Sequence, residues 1–121
     1  MKFSNKIIPG KNIFGCLDGV SHAVMAQLAR QSGRAVFIAR DDARLAAALE
    51  AIAFIAPDIE VLSLPAWDCL PFDRVSPHPT ITSARVQALS RLSHPSSDKP
   101  VLLITTMNSW MQKVPPPAFF A

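Results

Sequence analysis

Apolar positions recur along this chain in two rhythms. In "GVSHAVMAQLARQ" (19–31), Val20, Val24 and Leu28 fall one turn apart with Ala23 and Met25 beside them. That spacing predicts a helix with one apolar stripe, stopped at Ser32-Gly33. "RAVFIAR" (34–40) is a short continuous apolar run with β-branched residues and predicts a buried strand. "DDARLAAALEAIAFIAPD" (41–58) returns to helical spacing at Leu45, Leu49 and Ile52; Asp41 can accept the first free backbone N–H groups, and Pro57 ends the run. "IEVLSL" (59–64) predicts the next strand. "ITSARVQALSRL" (81–92) follows as a helix with Thr80 as its expected cap, Ile81, Ala84, Ala88 and Leu92 on one face and Arg85 on the polar side. "PVLLITT" (100–106) predicts a last buried strand, and "NSWMQKV" (108–114) a short helix opened by Asn108.

A first strand is expected to run into the turn at Gly15. The order is then strand, helix, strand, helix, strand, helix, strand, which predicts an α/β fold of three layers, a parallel sheet with helices on both faces. Sheets of this kind bind ligands beyond the carboxyl ends of their strands. The turn at 15–22, Arg40-Asp41 and Thr105-Thr106 occupy such ends.

The chain has 121 residues, enough for one core and too few for two. With 50% hydrophobic and 17% charged residues it is not a disordered chain. The net charge of +3 comes from scattered Lys and Arg, without the basic block that would argue for nucleic acid. Cys16 and Cys69 stand alone, as expected of free thiols in a reducing cytosol. No run approaches the roughly 18 apolar residues of a membrane span, so a soluble, cytoplasmic chain without membrane contact is expected. Residues 1–11 are expected as a lead-in and 12–114 as the domain. Residues 115–121, "PPPAFFA", are expected as a cut linker prone to self-association.

"GCLDGVSH" (15–22) is the stretch nearest to known chemistry. A phosphate loop, G-x-x-x-x-G-K-[ST], closes backbone N–H groups around the β-phosphate, neutralises the β/γ charge with lysine and holds Mg²⁺ on a hydroxyl. Laid on that template from Gly15, the chain keeps Gly15 and Gly19 but places Val20, Ser21 and His22 at the Gly-Lys-[Ser/Thr] positions, and Asp18 adds negative charge. No apolar strand closes in Asp-Glu to order Mg²⁺ and water. Two required parts are missing, and the chain by itself is not expected to be an ATPase. Asp68, Asp73 and His78 lack a common helical face and are expected to serve turns and caps rather than a metal; Ser76 sits on no nucleophile elbow. Trp67 and Trp110 are expected as core or interface anchors, and Trp67, Phe72, Arg74 and Arg85 as the partner-facing set.

The combination "LPAWDCLPFDRVSPHPTITSARVQALSRL" (64–92) followed by "VLLITTMNSWMQKVPPP" resembles the N-terminal, UvrB-homology segment of the bacterial transcription-repair coupling factors, the Mfd family. The resemblance runs over roughly positions 10–117. It implies a fold like the first, helicase-like domain of UvrB, with a degenerate phosphate loop and no hydrolysis. It also implies a non-catalytic scaffold or interaction module in transcription-coupled nucleotide-excision repair, packed against a UvrA-binding domain. On this resemblance the chain itself takes no cofactor, ATP and magnesium belonging to the motor domains of the parent protein, an ATP-dependent DNA translocase. RNA polymerase, UvrA and DNA are partners through that parent. The chain departs from UvrB in having no tyrosine, so a tyrosine-rich DNA-gripping hairpin is not implied. A stand-alone α/β enzyme for a nucleotide or phosphosugar, built on Gly15, Arg40 and Thr105, is the alternative that the βα order leaves open.

Overall fold

Three strands, β1 (Arg34–Ala39), β2 (Glu60–Leu64) and β3 (Val101–Thr106), form one parallel sheet in the order β1-β3-β2. Arg34 pairs with Val101, Val36 with Leu103 and Ile38 with Thr105 on one side of β3; Leu62 pairs with Leu103 on the other. Among the described residues four α-helices connect and flank them, α1 (Asp18–Ser32), α2 (Asp42–Ile55), α3 (Pro79–Ser93) and the short α4 (Met107–Trp110), and a 3-10 turn (Pro117–Phe120) follows within the stretch expected as a linker. The computed structural model describes residues 10, 15–70, 72, 74–94 and 98–120. The strand expected to lead into Gly15, and Asp73, lie outside the described residues.

Side-chain alternation along β3 divides the core into two layers. Leu102 and Ile104 point into a cluster with Ala26 and Ala29 of α1 and Leu45, Ala48 and Ile52 of α2. Leu103 points the other way, to Leu62, Leu64 and Ala88. Helices α1 and α2 thus cover one face and α3 the other, the three-layer α/β arrangement that the order of elements predicts.

The buried stripe of α1 is not the expected one. Ala23, Ala26 and Ala29 are at most 4% exposed, whereas Val20 is 38% exposed. Alanine lets the helix axis approach the sheet more closely than valine or leucine would, and the larger side chains fall to the flanks. In α2 the buried residues are Leu45, Ala48 and Ile52, with Leu49 only partly covered. The run at 34–40 is buried on one face alone: Ala39 is buried, while Val36 and Ile38 remain half-exposed.

Local signals set the helix ends. Gly33 closes α1 in the left-handed region (φ 76), which any side chain would disfavour. Helix α3 begins earlier than Thr80: Pro79 takes the first helical position, where a missing N–H costs nothing, and His78 is the cap, its Nδ1 accepting from the Thr80 N–H at 3.3 Å. Helix α4 likewise starts from Thr106, not Asn108; the Thr106 hydroxyl accepts from the Ser109 N–H at 3.4 Å.

Asp41 caps α2 as expected, accepting from the Arg44 N–H at 2.8 Å. That hydrogen bond, and then the Arg40 guanidinium at 3.1 Å, hold its carboxyl below the ordinary aspartate range. A carboxyl lowered in the folded state stabilises the fold above its unfolded pKa, and the contribution disappears as pH falls through the lowered value. Asp41→Asn keeps a capping acceptor but cannot titrate. Urea unfolding between pH 2 and 6 should therefore show a steeper acid loss for the parent chain than for the variant; parallel curves would remove Asp41 from the acid response.

Candidate functional site

Two regions hold the residues singled out from the sequence. The first is the start of α1. Gly15 has φ 72, so a tight bend does precede the helix. The helix begins at Asp18, with Leu17 as a cap residue that makes no side-chain cap bond; Val20 and Ser21 each donate their N–H to the Leu17 carbonyl at 3.0 Å. Gly19, Val20, Ser21 and His22 are therefore in the helix, not in an open loop, and Gly19 has no left-handed φ. Gly19 and Val20 are exposed; Ser21 and His22 are partly buried. His22 meets Phe37 edge to face, with ring centroids 6.0 Å apart.

Ser21, His22, Phe37, Arg40 and Arg44 line a cavity of about 210 Å³ at the carboxyl end of β1. Its positive charge comes from the end of β1 and the first turn of α2. The phosphate-loop template would instead place that charge on the helix following Gly15. Thr105, another strand-end candidate, is fully buried, and its hydroxyl donates to the Leu64 carbonyl at 2.9 Å. It ties β3 to β2 and cannot reach a ligand.

The second region is built around Arg85, and here the expectation of a surface arginine is wrong. Arg85 is 2% exposed. Its Nη1 donates to the Pro65 carbonyl at 2.6 Å, to Ser109 Oγ at 2.8 Å and to Gln112 Oε1 at 3.3 Å. The guanidinium carbon lies 4.5 Å from the Trp67 ring centroid, a cation–π stack in a desolvated setting. Its Nε is buried without a hydrogen-bond partner. Burial lowers the pKa of the group. Gln112 Oε1 also accepts from the Trp67 N–H at 3.0 Å, and Ser109 Oγ donates to the Pro65 carbonyl at 3.0 Å. One guanidinium thus joins α3, α4 and the chain leaving β2, and fixes Trp67.

Beyond that anchor the 68–78 segment is closed at its other end by Asp68, whose two carboxylate oxygens accept from the His78 N–H at 3.3 Å each. Between the two ties the loop displays apolar side chains. Leu70 is 76% exposed, Val75 66%, and Phe72 is fully exposed at φ 68, a strained backbone for an aromatic residue. Arg74 is exposed beside them. The structure therefore separates the four expected interface residues: Phe72 and Arg74 are on the surface, Trp67 is partly buried, and Arg85 is internal. The periodicity of α3 carried the missed signal, since Arg85 lies four residues after Ile81 and three before Ala88, on the inward stripe.

Among the described residues no group of three His, Cys, Asp or Glu side chains could hold a metal ion, and no helix is long and apolar enough to cross a membrane. Cys16 and Cys69 are both free thiols.

The chain is 33% identical over 111 residues, 90% of its length, to the transcription-repair-coupling factor of Escherichia coli (strain K12). It is 28% identical over 103 residues, 85% of its length, to that of Haemophilus influenzae, and 35% identical over 68 residues, 56% of its length, to that of Rickettsia bellii. It spans only 6–9% of the length of these relatives. No family model and no solved structure matches it.

Proposed function

We propose that this chain, which is related over most of its length to a segment of the transcription-repair-coupling factors, is a non-catalytic interaction module of such a protein. In this reading it works in the cytoplasm, in transcription-coupled nucleotide-excision repair. It packs against other domains of the parent, a UvrA-binding domain among them, and meets RNA polymerase, UvrA and DNA through the parent. The observation that carries the reading is the 111-residue similarity to the Escherichia coli factor.

The 68–78 loop supplies the contact surface. Its exposed Leu70, Phe72 and Val75 offer apolar area, and anchoring by Arg85 and Asp68 holds the ends of the segment in place, which lowers the entropy cost of a contact. The start of α1 is the relic of a nucleotide site: the bend at Gly15 persists, but the helix after it carries Ser21 and His22 in place of the lysine and the hydroxyl residue. The helix itself then offers a triphosphate only its backbone dipole, and the nearest positive charge comes from Arg40 and Arg44 instead of a lysine in the loop. Isothermal calorimetry with ATP and Mg²⁺ tests this directly, and no saturable heat is expected up to millimolar nucleotide. Micromolar, magnesium-dependent binding would favour the rival reading of a small nucleotide- or phosphosugar-binding enzyme, which the cavity between His22 and Arg44 would then serve.

A further inference from the structure

Open α/β sheets bind ligands beyond the carboxyl ends of their strands, and the cavity of about 210 Å³ lies at that end of β1. Its polar groups come from two separate parts of the chain. Ser21 and His22 belong to the start of α1, whereas Arg40 and Arg44 belong to the end of β1 and the first turn of α2. Phe37 and Ile38 add apolar surface. Each of the four polar side chains can donate hydrogen bonds, and among the described residues no carboxylate lines the space. The His22 ring carries a second, independent sign. Its Nδ1 is buried with no hydrogen-bond partner, a state that folded proteins seldom keep without a use for the group.

We propose that this cavity binds a single phosphate group, as inorganic phosphate or as the head of a small monoester. The two guanidiniums set the sign of the ligand. Arg40 pairs with Asp41 at 3.1 Å, but that contact is exposed and weak, and a guanidinium has further N–H donors to offer an oxyanion. Donors reach the space from α1 and from the β1–α2 junction, which suits a tetrahedral group with oxygens on every side better than a planar carboxylate. The carbon of an ester would meet Phe37 and Ile38. Size sets the upper limit: pockets that enclose drug-sized ligands run to roughly 300–1,000 Å³, so this one takes a phosphate and a few atoms beyond it, not a nucleotide. The proposal goes beyond the interaction-module reading and does not rest on it.

The test follows the whole, isotope-labelled chain by NMR as inorganic phosphate, glycerol phosphate or acetate is added at constant ionic strength, without magnesium. Both phosphates should move the His22 ring and the Arg40 and Arg44 side chains saturably at millimolar concentration, and acetate should not. His78 and His94, which lie outside the cavity, should stay still. Arg40→Gln/Arg44→Gln, both exposed positions, should weaken phosphate about tenfold or more through the loss of charged donors. His22→Phe keeps a ring against Phe37 but removes both nitrogens, and should weaken it severalfold. Arg34→Gln, at the other end of β1, should leave binding unchanged. Shifts that acetate reproduces would overturn the proposal, and so would phosphate binding that survives the double arginine change. An oligonucleotide or ATP that holds these residues more tightly than phosphate does would also overturn it. Absent phosphate binding with ATP equally silent sinks this proposal alone, whereas magnesium-dependent ATP binding that phosphate does not displace sinks only the interaction-module reading.

Discussion

Arg85→Ala is expected to cost about 2–4 kcal/mol of stability, from the truncated side chain and the buried acceptors that lose a charged donor. The loss has three sources. The Pro65 carbonyl and Gln112 Oε1 lose a charged donor inside the protein, the space of a long side chain stays partly empty, and the Trp67 ring loses its cation. Arg85→Met should cost less, about 1–2 kcal/mol, because it keeps aliphatic volume and removes a buried charge that has no carboxylate among its hydrogen-bond partners. Arg85→Lys should not rescue, since a single ammonium cannot both reach these acceptors and stack its plane on the indole. Urea unfolding gives the energies, and tryptophan emission should shift to the red as Trp67 loosens. A cost for alanine below about 1 kcal/mol would place the guanidinium in solvent and leave the 68–78 loop anchored by other groups.

Ala26→Leu/Ala29→Leu is expected to be the other severe change, at about 3–5 kcal/mol for the pair. Both positions are fully buried where α1 meets the sheet, and the leucines would drive the helix off Leu102 and Ile104. Val20→Ser, on the same helix, should stay within about 0.5 kcal/mol because its side chain faces solvent in good part. The two measurements oppose the two stripes of α1. If the valine change cost more than the paired alanine changes, α1 would be rotated with its larger side chains inward, and the close helix–sheet approach described above would be wrong.

Some of the candidate site was legible before any coordinates. Asp41 as a cap could be read because capping needs only a short acceptor ahead of a periodic run, a local relation. Phe72 and Arg74, expected in the partner-facing set, do stand on the surface. The spacing of Arg85 to Ile81 and Ala88 marked the inward stripe, but its charge argued for the polar side, and only the third dimension brings Pro65, Ser109 and Gln112 to its guanidinium. The cavity beside His22 was legible in part: the 15–22 turn and Arg40 were expected at the carboxyl ends of the strands, whereas Arg44, which lines it from the first turn of α2, was not.

By itself the sequence determined the alternation of strand and helix, the parallel three-layer class and most element ends, because periodicity, proline and glycine act over a few residues. The 64–92 pattern also carried the family resemblance. Tertiary structure decided which side of each amphipathic element faces inward, the order β1-β3-β2, the half-open face of β1 and the internal place of Arg85. Those outcomes depend on what stands opposite. A small residue wins an interior position when a sheet must come close, and a charge can be buried when acceptors from distant segments converge on it.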